Sequence, residues 1–270
     1  MGALPRAATL SMTCVALTVA GSDPSGGAGI QADLKTFHQR GVFGTGVVTL
    51  ITVQNTLGVT AVETLSPQLV ADQLEAVLAD IPPAAAKTGA LGNAAVIRAV
   101  AEKFAARTFP LVVDPVMISK AGSPLLSADA QAVLRETLLP RALLVTPNLH
   151  EAGALSGIAV SDLRSMEEAA RRIAALGVQA VLVKGGHLAG EATDILYWKG
   201  EFRHYSSPRI ETHHTHGTGC TFSAAITAEL AKGCELPDAV AIAKRFITLA
   251  IQTNPGLGKG SGPVNWFAEV

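Results

Sequence analysis

The fold of this chain is decided by the stretch Thr212-His213-His214-Thr215-His216-Gly217-Thr218-Gly219-Cys220, which a helical pattern of small residues follows over 221–226. Gly217 and Gly219 allow the backbone to turn tightly and to approach a ligand closely. A helix that opens at Gly219–Cys220 leaves its first N–H groups without intrahelical partners and carries about half a positive charge there. The stretch therefore predicts a pocket for a phosphate or a developing oxyanion, although the pattern alone also fits a plain turn and helix cap.

Apolar runs of strand length alternate with longer helical patterns along the chain, which predicts a parallel sheet covered by helices on both faces. The predicted strands are Cys14–Ala20, Gly46–Val53, Ala84–Lys87, Leu111–Val113, Leu143–Val145 and Ala180–Lys184. The predicted helices are Ala28–Gln39, Pro67–Leu78, Ala94–Ala106, Ala128–Leu138, Met166–Leu176, Cys220–Lys232 and Pro237–Gln252. A late antiparallel hairpin is predicted over Asp194–Lys199 and Glu201–Ser207, joined at Gly200.

Two helix starts show capping patterns. Ser66-Pro67 is typical of an N-cap followed by the first helical residue, and Ser165 with Glu168 fits a capping box. Both patterns come just before predicted helices and support their boundaries.

Composition excludes several classes of protein. The 270 residues can form one α/β domain, and 49% of them are apolar. The formal net charge of −1 argues against a nucleic-acid partner or a polybasic membrane surface. No apolar run reaches 18 residues, so no membrane span is expected. Three scattered cysteines are too few for a disulfide framework or a zinc knuckle, which favours a reduced cytoplasm.

The N-terminus has two interpretations. Arg6 and the mostly apolar Ala7–Ala20 resemble a secretory signal. A buried strand over Cys14–Ala20 that runs directly into a glycine-rich loop is favoured instead. We therefore predict one domain over 14–270 after a loose extension at 1–13, in which Met12 is an alternative start.

Several loops are predicted to follow strand ends, and they contain most of the polar residues of interest. In open α/β sheets, ligands collect at the carboxyl ends of the strands. No Gly-x-x-x-x-Gly-Lys-Ser/Thr pattern occurs, and Phe222 stands where a full Gly-x-Gly-x-x-Gly would need its third glycine. The site is therefore expected at one rim of the sheet, without a P-loop. The loops are Gly21–Asp33, Gln54–Gly58, Asp114–Pro124, Thr146–Glu151 and Lys184–His187.

Seven sequence blocks occur in an order that carries a family resemblance. They span 19–35, 53–59, 87–91, 113–117, 146–152, 184–187 and 215–220. The set resembles the hydroxymethylpyrimidine/phosphomethylpyrimidine kinases of thiamine biosynthesis, a branch of the ribokinase superfamily, from about Cys14 to Pro263. The resemblance implies a three-layer α/β/α sandwich with a mostly parallel central sheet, ATP and Mg²⁺ as cofactors, and a homodimer.

The resemblance assigns one group of residues to the acceptor substrate. The Gln54 amide offers an acceptor and two donors, which suit the amino group and ring nitrogen of an aminopyrimidine. Asp33 matches an aspartate that reaches the substrate, although a carboxylate early in a helix also complements the helix dipole. Gly21, Val116 and Met117 complete the expected ring pocket.

A second group is assigned to the nucleotide and its metal. Asn148 and Glu151 match an Asn-x-x-Glu pattern that holds Mg²⁺ mostly through water, and Asp114 is expected to help order it. A helix cap with a first-turn glutamate explains the same pattern. Lys184, at a strand end, is expected to meet a phosphate, though such lysines are often merely solvated.

Gly217, Thr218 and Gly219 form the expected anion pocket, and Cys220 follows them. The positive end of the helix is expected to favour a thiolate, which could accept the proton of the substrate hydroxyl. Packing as a small buried residue is the competing interpretation. His213, His214 and His216 lack the regular spacing of a zinc site.

The resulting hypothesis is an ATP- and Mg²⁺-dependent kinase that phosphorylates 4-amino-5-hydroxymethyl-2-methylpyrimidine and then its monophosphate. Ala90 stands where many relatives carry a bulkier methionine, which leaves the breadth of substrates open. A vitamin B6 kinase is the alternative enzyme, since related sequences of this branch can accept pyridoxal or pyridoxine. A non-catalytic pyrimidine or nucleotide sensor is the alternative from a different class.

Overall fold

A nine-stranded sheet runs through the part of the chain that the computed structural model describes, namely residues 14–117, 126–186, 188 and 190–270. In spatial order the strands are β3-β2-β1-β4-β5-β6-β7-β8-β9. The six central strands are parallel, while β3, β8 and β9 pair antiparallel at the two edges. Their bounds are β1 Val15–Ser22, β2 Phe43–Asn55, β3 Gly58–Thr64, β4 Ala85–Thr88, β5 Leu111–Val113, β6 Leu144–Val145, β7 Ala180–Val183, β8 Asp194–Trp198 and β9 Glu201–Tyr205.

Helices cover both faces of this sheet. They are α1 Gly29–Gln39, α2 Pro67–Asp80, α3 Ala94–Lys103, α4 Ala128–Val133, α5 Leu149–Ser156, α6 Leu163–Ala174, α7 Thr218–Ala231 and α8 Leu236–Gln252. A π-helical turn at Leu134–Leu138 and a 3₁₀ turn at Leu139–Arg141 continue α4.

The core consists of two layers, one on each side of the sheet. Successive residues of a strand point to opposite faces, and β5 shows this alternation. Leu111 and Val113 join the cluster that α2, α3 and α6 cover, while Val112 joins the cluster under α7 and α8. The chain therefore has the predicted three-layer α/β/α sandwich with a mostly parallel central sheet.

The late hairpin is confirmed, and its turn follows from the backbone. Lys199 and Gly200 both have positive φ angles, of 52° and 83°. Two consecutive residues with positive φ match the right-handed twist of the strands that they connect.

Two elements of the structure were not predicted from the sequence. The edge strand β3 pairs with the last part of β2, which extends to Asn55 rather than ending at Val53. The short helix α5 begins directly after Asn148, inside what was predicted as a loop.

One of the two capping predictions is confirmed and the other is wrong. Ser66 accepts a hydrogen bond from the N–H of Leu69 as an N-cap should. The helix near Ser165 begins earlier than predicted, at Leu163, because Asp162 is a better cap: its carboxylate accepts from the Ser165 N–H at 2.7 Å. Glu168 instead pairs with Arg172 at 2.8 Å.

Some predictions fall outside the described residues. They are the N-terminal extension at 1–13 with its alternative start, the end of the Asp114–Pro124 loop, and His187. Within the described ranges, none of the helices combines the length and the apolar character that crossing a membrane requires.

Candidate active site

Two glycine-rich loops meet at the carboxyl ends of the strands. Gly217 has a φ of 75°, and a Cβ on it would lie 1.8 Å from the carbonyl oxygen of Gly27. Gly29 has a φ of 58°, and a Cβ there would lie 2.3 Å from the carbonyl oxygen of Gly21. Only glycine combines these backbone angles with such close contact. The contact between Gly217 and Gly27 holds the loop after β1 against the start of α7, and the contact between Gly29 and Gly21 closes that loop on itself.

Helix α7 begins at Thr218, slightly before the predicted Gly219–Cys220. Its N-cap is Gly217, which has no side chain to accept from the first N–H groups. The predicted features of an anion pocket, a glycine turn and a helix N-terminus, are therefore present at Gly217–Gly219.

Lys184 and Asp114 lie beside this helix start. Lys184 follows β7 directly, and its ammonium lies 3.2 Å from Asp114 Oδ1. A Cβ added to Gly219 would lie 3.4 Å from Lys184 Nζ and 3.7 Å from Asp114 Oδ2, so the three residues share one small space. Burial opposes the charge on Lys184, but Asp114 and Glu151 outweigh it and raise the pKa of Lys184. Lys184 therefore keeps its positive charge at neutral pH, paired with Asp114.

Asn148 and Glu151 form the cap of α5. Asn148 Oδ1 accepts from the Glu151 N–H, and Glu151 Oε2 accepts from the Asn148 N–H, each at 2.9 Å. The Met117 N–H donates to Glu151 Oε1 at 3.2 Å, which places the predicted pair Val116–Met117 next to this carboxylate. Burial raises the pKa of Glu151 against the opposing effect of Lys184. The helix-cap interpretation is confirmed, while a role near the metal stays a prediction.

Gln54 lies close to the end of β2, near the loop that precedes α7. Its Nε2 is 3.2 Å from His216 Nε2, and that ring nitrogen is 2.8 Å from Asp23 Oδ2. Thr52 Oγ1 lies 3.3 Å from Gln54 Oε1. The structure therefore joins Gln54 to the stretch around Gly217, which the sequence order alone does not show.

Val116 has a φ of 42°. A β-branched residue in this region is a genuine outlier, and such strain concentrates at functional sites. The prediction that Val116 lines the ring pocket is consistent with this strain and remains a prediction.

A buried ion pair that the sequence did not predict lies below α7. Lys87 Nζ lies 2.6 Å from Asp33 Oδ1, and both side chains are fully buried. Thr18 donates to the other oxygen of Asp33, and Lys87 Nζ lies 3.4 Å from the carbonyl oxygen of Cys220. Burial opposes the charge on Lys87, but Asp33 and its neighbours outweigh it and raise the pKa of Lys87.

A sequence signal for this pair existed. Lys87 ends a predicted strand that is otherwise apolar, and a lysine is almost never fully buried without a partner. Contact between Asp33 and the substrate stays a prediction, because both of its oxygens have partners within the protein.

The expectation of a thiolate at Cys220 is wrong at neutral pH. Burial raises the pKa of the Cys220 thiol to about 11, and the carboxylates of Asp33 and Asp114 act in the same direction against Lys87. The helix terminus contributes only about half a charge, which these effects exceed. Cys220 is a neutral thiol beside the anion pocket.

The residues fit a Mg²⁺ ion that arrives with the nucleotide, but not a metal held by protein alone. Within the described ranges, no three His, Cys, Asp or Glu side chains gather to hold a metal. Mg²⁺ keeps several waters and takes one or two carboxylates together with phosphates. A carboxylate has about four lone-pair sites. Glu151 uses only two for backbone N–H groups, so it could still accept from metal-bound water.

Comparison with known proteins identifies the family. A family model described as phosphomethylpyrimidine kinase matches residues 23–265. The hydroxymethylpyrimidine/phosphomethylpyrimidine kinase of Haemophilus influenzae is 50% identical over 93% of this chain and 96% of that protein. The thiamine biosynthesis bifunctional protein ThiED of Geobacter sulfurreducens is 53% identical over 92% of this chain, which spans 51% of that longer protein.

The fold has a close counterpart among solved structures. The Bacillus subtilis pyridoxal kinase, solved as an ADP complex, superposes with a TM-score of 0.88 and is 41% identical, with 94% of this chain and 97% of that chain covered. These matches extend over nearly the whole sandwich and confirm the resemblance seen in the sequence. The chain therefore belongs to the phosphomethylpyrimidine kinase family.

Proposed function

We propose that this chain transfers the γ-phosphoryl group of ATP to the hydroxymethyl group of 4-amino-5-hydroxymethyl-2-methylpyrimidine, and then phosphorylates the monophosphate to the diphosphate. The observation that carries the proposal is the cluster of Lys184, Asp114 and Gly219 at the start of α7. Gln54 reaches that same glycine loop through His216. The names of the curated relatives support this acceptor and a place in thiamine biosynthesis.

The protein's contribution to phosphoryl transfer is mostly position and charge, because the transition state spreads negative charge over the transferred group. Lys184 and the first N–H groups of α7 are placed to stabilise that charge. Mg²⁺, held largely through water near Asp114, Asn148 and Glu151, would neutralise the phosphates when bound. ADP binding by the Bacillus subtilis structure supports an adenine nucleotide here.

On the acceptor side, Gln54 pairs with the amino group and the adjacent ring nitrogen of the pyrimidine. Gly21, Asp33, Val116 and Met117 complete the proposed pocket. Cys220, as a neutral thiol, orients the hydroxyl and does not remove its proton beforehand. The O–P bond to the acceptor forms as the bond to ADP breaks, and the hydroxyl proton leaves late, to an oxygen of the transferred phosphoryl group. A loose transition state needs little prior deprotonation of the acceptor.

We further propose a cytoplasmic homodimer with small-molecule ligands and no nucleic-acid partner. Exposed apolar side chains on the β2–β3 edge hairpin, namely Ile51, Val53, Leu57 and Val62, support self-association. The free cysteines support a reducing compartment. Light scattering of the purified chain would measure its mass in solution, and a monomer at micromolar concentration would contradict the dimer.

A vitamin B6 kinase is the second candidate, since a pyridoxal kinase is among the structural neighbours. The small side chain of Ala90 would widen the proposed ring pocket and favour it. The deciding experiment measures ADP release with Mg²⁺-ATP and each of three acceptors: hydroxymethylpyrimidine, its monophosphate and pyridoxal. We expect both pyrimidines to be used with higher kcat/KM than pyridoxal. A preference for pyridoxal would favour the second candidate, and binding without turnover would indicate a sensor.

A further inference from the structure

His216 is wedged between an acidic side chain and the glutamine proposed to contact the pyrimidine. A single ring atom, Nε2, lies 2.8 Å from Asp23 Oδ2 and 3.2 Å from Gln54 Nε2. The side chain is buried, and a Cβ on Gly27 would lie 2.4 Å from its Cδ2. The ring therefore packs closely against the glycine loop and has little freedom to turn.

Asp23 decides which way the hydrogen on this ring atom points. Its carboxylate accepts from Ser25 Oγ at 2.7 Å and from the N–H of Ala28 at 2.8 Å. Burial acts to raise the pKa of Asp23, but hydrogen bonds from His216 and Ser25 outweigh it and hold that pKa below its usual value. An ionised carboxylate only accepts hydrogen bonds. His216 Nε2 must therefore carry a hydrogen and act as a donor.

The donor on His216 in turn constrains the Gln54 amide. An amide NH₂ facing Nε2–H would set two donors against each other, whereas the amide oxygen would accept. With the amide turned by 180°, its NH₂ faces Thr52 Oγ1, whose own hydroxyl donates to the Ser22 carbonyl at 2.9 Å. The single Nε2 hydrogen of His216 is then shared between the Asp23 carboxylate and the amide oxygen, and no two donors face each other, which is how amide orientation is assigned.

We propose that His216 is a positioning residue that holds the Gln54 amide in one orientation, with its oxygen toward His216 and its NH₂ toward Thr52, and so sets the ring specificity of the kinase. The inference rests on the proposed function for the identity of the acceptor. The amide then presents an acceptor and a donor in a set order. A 4-aminopyrimidine matches this order, because its amino group donates and its ring nitrogen accepts.

A 4-oxo analogue presents the reverse order, because its carbonyl accepts and its ring N–H donates. It would require the opposite orientation of the amide. As long as His216 and Thr52 hold the amide, the analogue is rejected. Once one of them is removed, the amide can turn and the analogue should bind better relative to the natural acceptor.

The test compares kcat/KM for hydroxymethylpyrimidine and for its 4-oxo analogue. We expect the wild type to prefer the amino compound by about 10²-fold or more. His216→Leu should reduce that ratio about tenfold, whereas His216→Gln, which keeps an N–H donor at similar reach, should retain most of it. In a Gln54→Leu background, His216→Leu should leave the ratio unchanged, because the two residues act as a unit.

If His216→Leu lowered kcat/KM equally for both acceptors, the ratio between them would be unchanged. That result would overturn the inference and leave His216 a structural residue. If that variant does not fold, Thr52→Val removes the other anchor of the amide and should lower the ratio in the same way. An unchanged ratio in that variant would also overturn the inference. The wild type alone tests the proposed function: if it uses neither pyrimidine, the proposed function fails and this inference fails with it.

Discussion

Two lysine–aspartate pairs lie under the same helix start, but only one of them is partly exposed. Lys87 and Asp33 are 2.6 Å apart, and both side chains are 0% exposed. Lys184 and Asp114 are 3.2 Å apart and are 15% and 4% exposed. Lys87 lies inside β4 with neighbours on every side, whereas Lys184 follows the last residue of β7. Their positions along a strand therefore decide what each lysine can do.

The sealed pair acts mainly on structure, because both oxygens of Asp33 already have partners within the protein. Asp33 can contact the acceptor only while it stays bound to Lys87. It holds the Cys220 carbonyl and thereby the first turn of α7. The open pair has a longer contact and lies beside Gly219 at the start of α7, so its lysine can exchange a carboxylate for a phosphate. If this difference is correct, substitutions in the sealed pair will change stability and substitutions in the open pair will change turnover.

The largest expected effect is on stability, from Lys87→Met. Removing one partner of a buried ion pair leaves an uncompensated charge and costs about 3–5 kcal/mol. The measurement is the free energy of unfolding by urea. The control is Lys103→Met, whose pair with Glu75 is exposed by 34% and 65% and should contribute less than about 1 kcal/mol.

The loss in Lys87→Met should also depend on pH. Burial raises the pKa of Asp33, and without Lys87 nothing of comparable strength opposes it. The folded variant then binds a proton more readily than the unfolded chain, so its stability falls as the pH rises through the folded pKa. We expect a smaller loss at pH 5 than at pH 8. Equal losses at both pH values, or equal losses in the Lys87 and Lys103 variants, would show that the pair is not sealed.

Turnover should respond most to Lys184→Met. Loss of the charge that faces the transferred group should lower kcat by about 10²–10³-fold, as for other groups that stabilise transition-state charge. Lys184→Arg keeps the charge, and its kcat should fall between those of Lys184→Met and the wild type. Steady-state rates at saturating pyrimidine, with thermal unfolding alongside, separate turnover from folding. A decrease below about tenfold in Lys184→Met would place the lysine outside the reaction.

Gly219→Ala should test the space above the open pair with a smaller effect. The added Cβ would lie 3.4 Å from Lys184 Nζ, where a phosphate oxygen must fit. We expect the KM for ATP to rise about tenfold, equivalent to about 1.4 kcal/mol, while the KM for the pyrimidine stays within about twofold of its wild-type value. A KM for ATP that does not change would mean that the phosphates bind elsewhere.

The comparison of the two pairs also shows which features the sequence could predict. The alternation of strands and helices is a local signal, and it predicted the layers, the parallel centre and the late hairpin. Strand β3 is an edge strand that depends on how far β2 extends, so its own residues gave little signal. The wrong cap at Ser165 arose because Asp162 offered a competing cap three residues earlier.

The electrostatics of the site were harder to predict than the fold. Lys87 and Asp33 are 54 residues apart. Lys87 lies on β4 opposite Thr18 of β1, and Asp33 of α1 contacts both of them. The thiolate at Cys220 was expected from the helix terminus alone, because the start of a helix can be recognised in the sequence. Burial and the two carboxylates, Asp33 and Asp114, raise the pKa of Cys220 and reverse this expectation. They come from distant segments of the chain, and the sequence does not show that these segments meet at Cys220.

The smallest effect is expected for Cys220→Ser, in the space between the two pairs. Because the pKa of the thiol is raised to about 11, less than about one molecule in a thousand is a thiolate at pH 7.5. Serine keeps a neutral O–H donor of similar size. We therefore expect both phosphorylation steps to slow by similar factors, below about tenfold.

The two acceptors make this expectation decisive. The hydroxymethyl group is an alcohol that must lose a proton, whereas the monophosphate has a second pKa near 6 and is already mostly dianionic at pH 7.5. A general base would matter only for the alcohol. Single-turnover rates with wild type and Cys220→Ser should show equal losses, and the pH–rate profile of the first step should show no ionisation of the thiol below about pH 9. A loss at least tenfold greater for the alcohol would mean that substrate binding lowers the pKa of Cys220 and makes Cys220 the base. Lys87 already opposes the rise in that pKa. Its positive charge would then take part in the reaction together with the open pair.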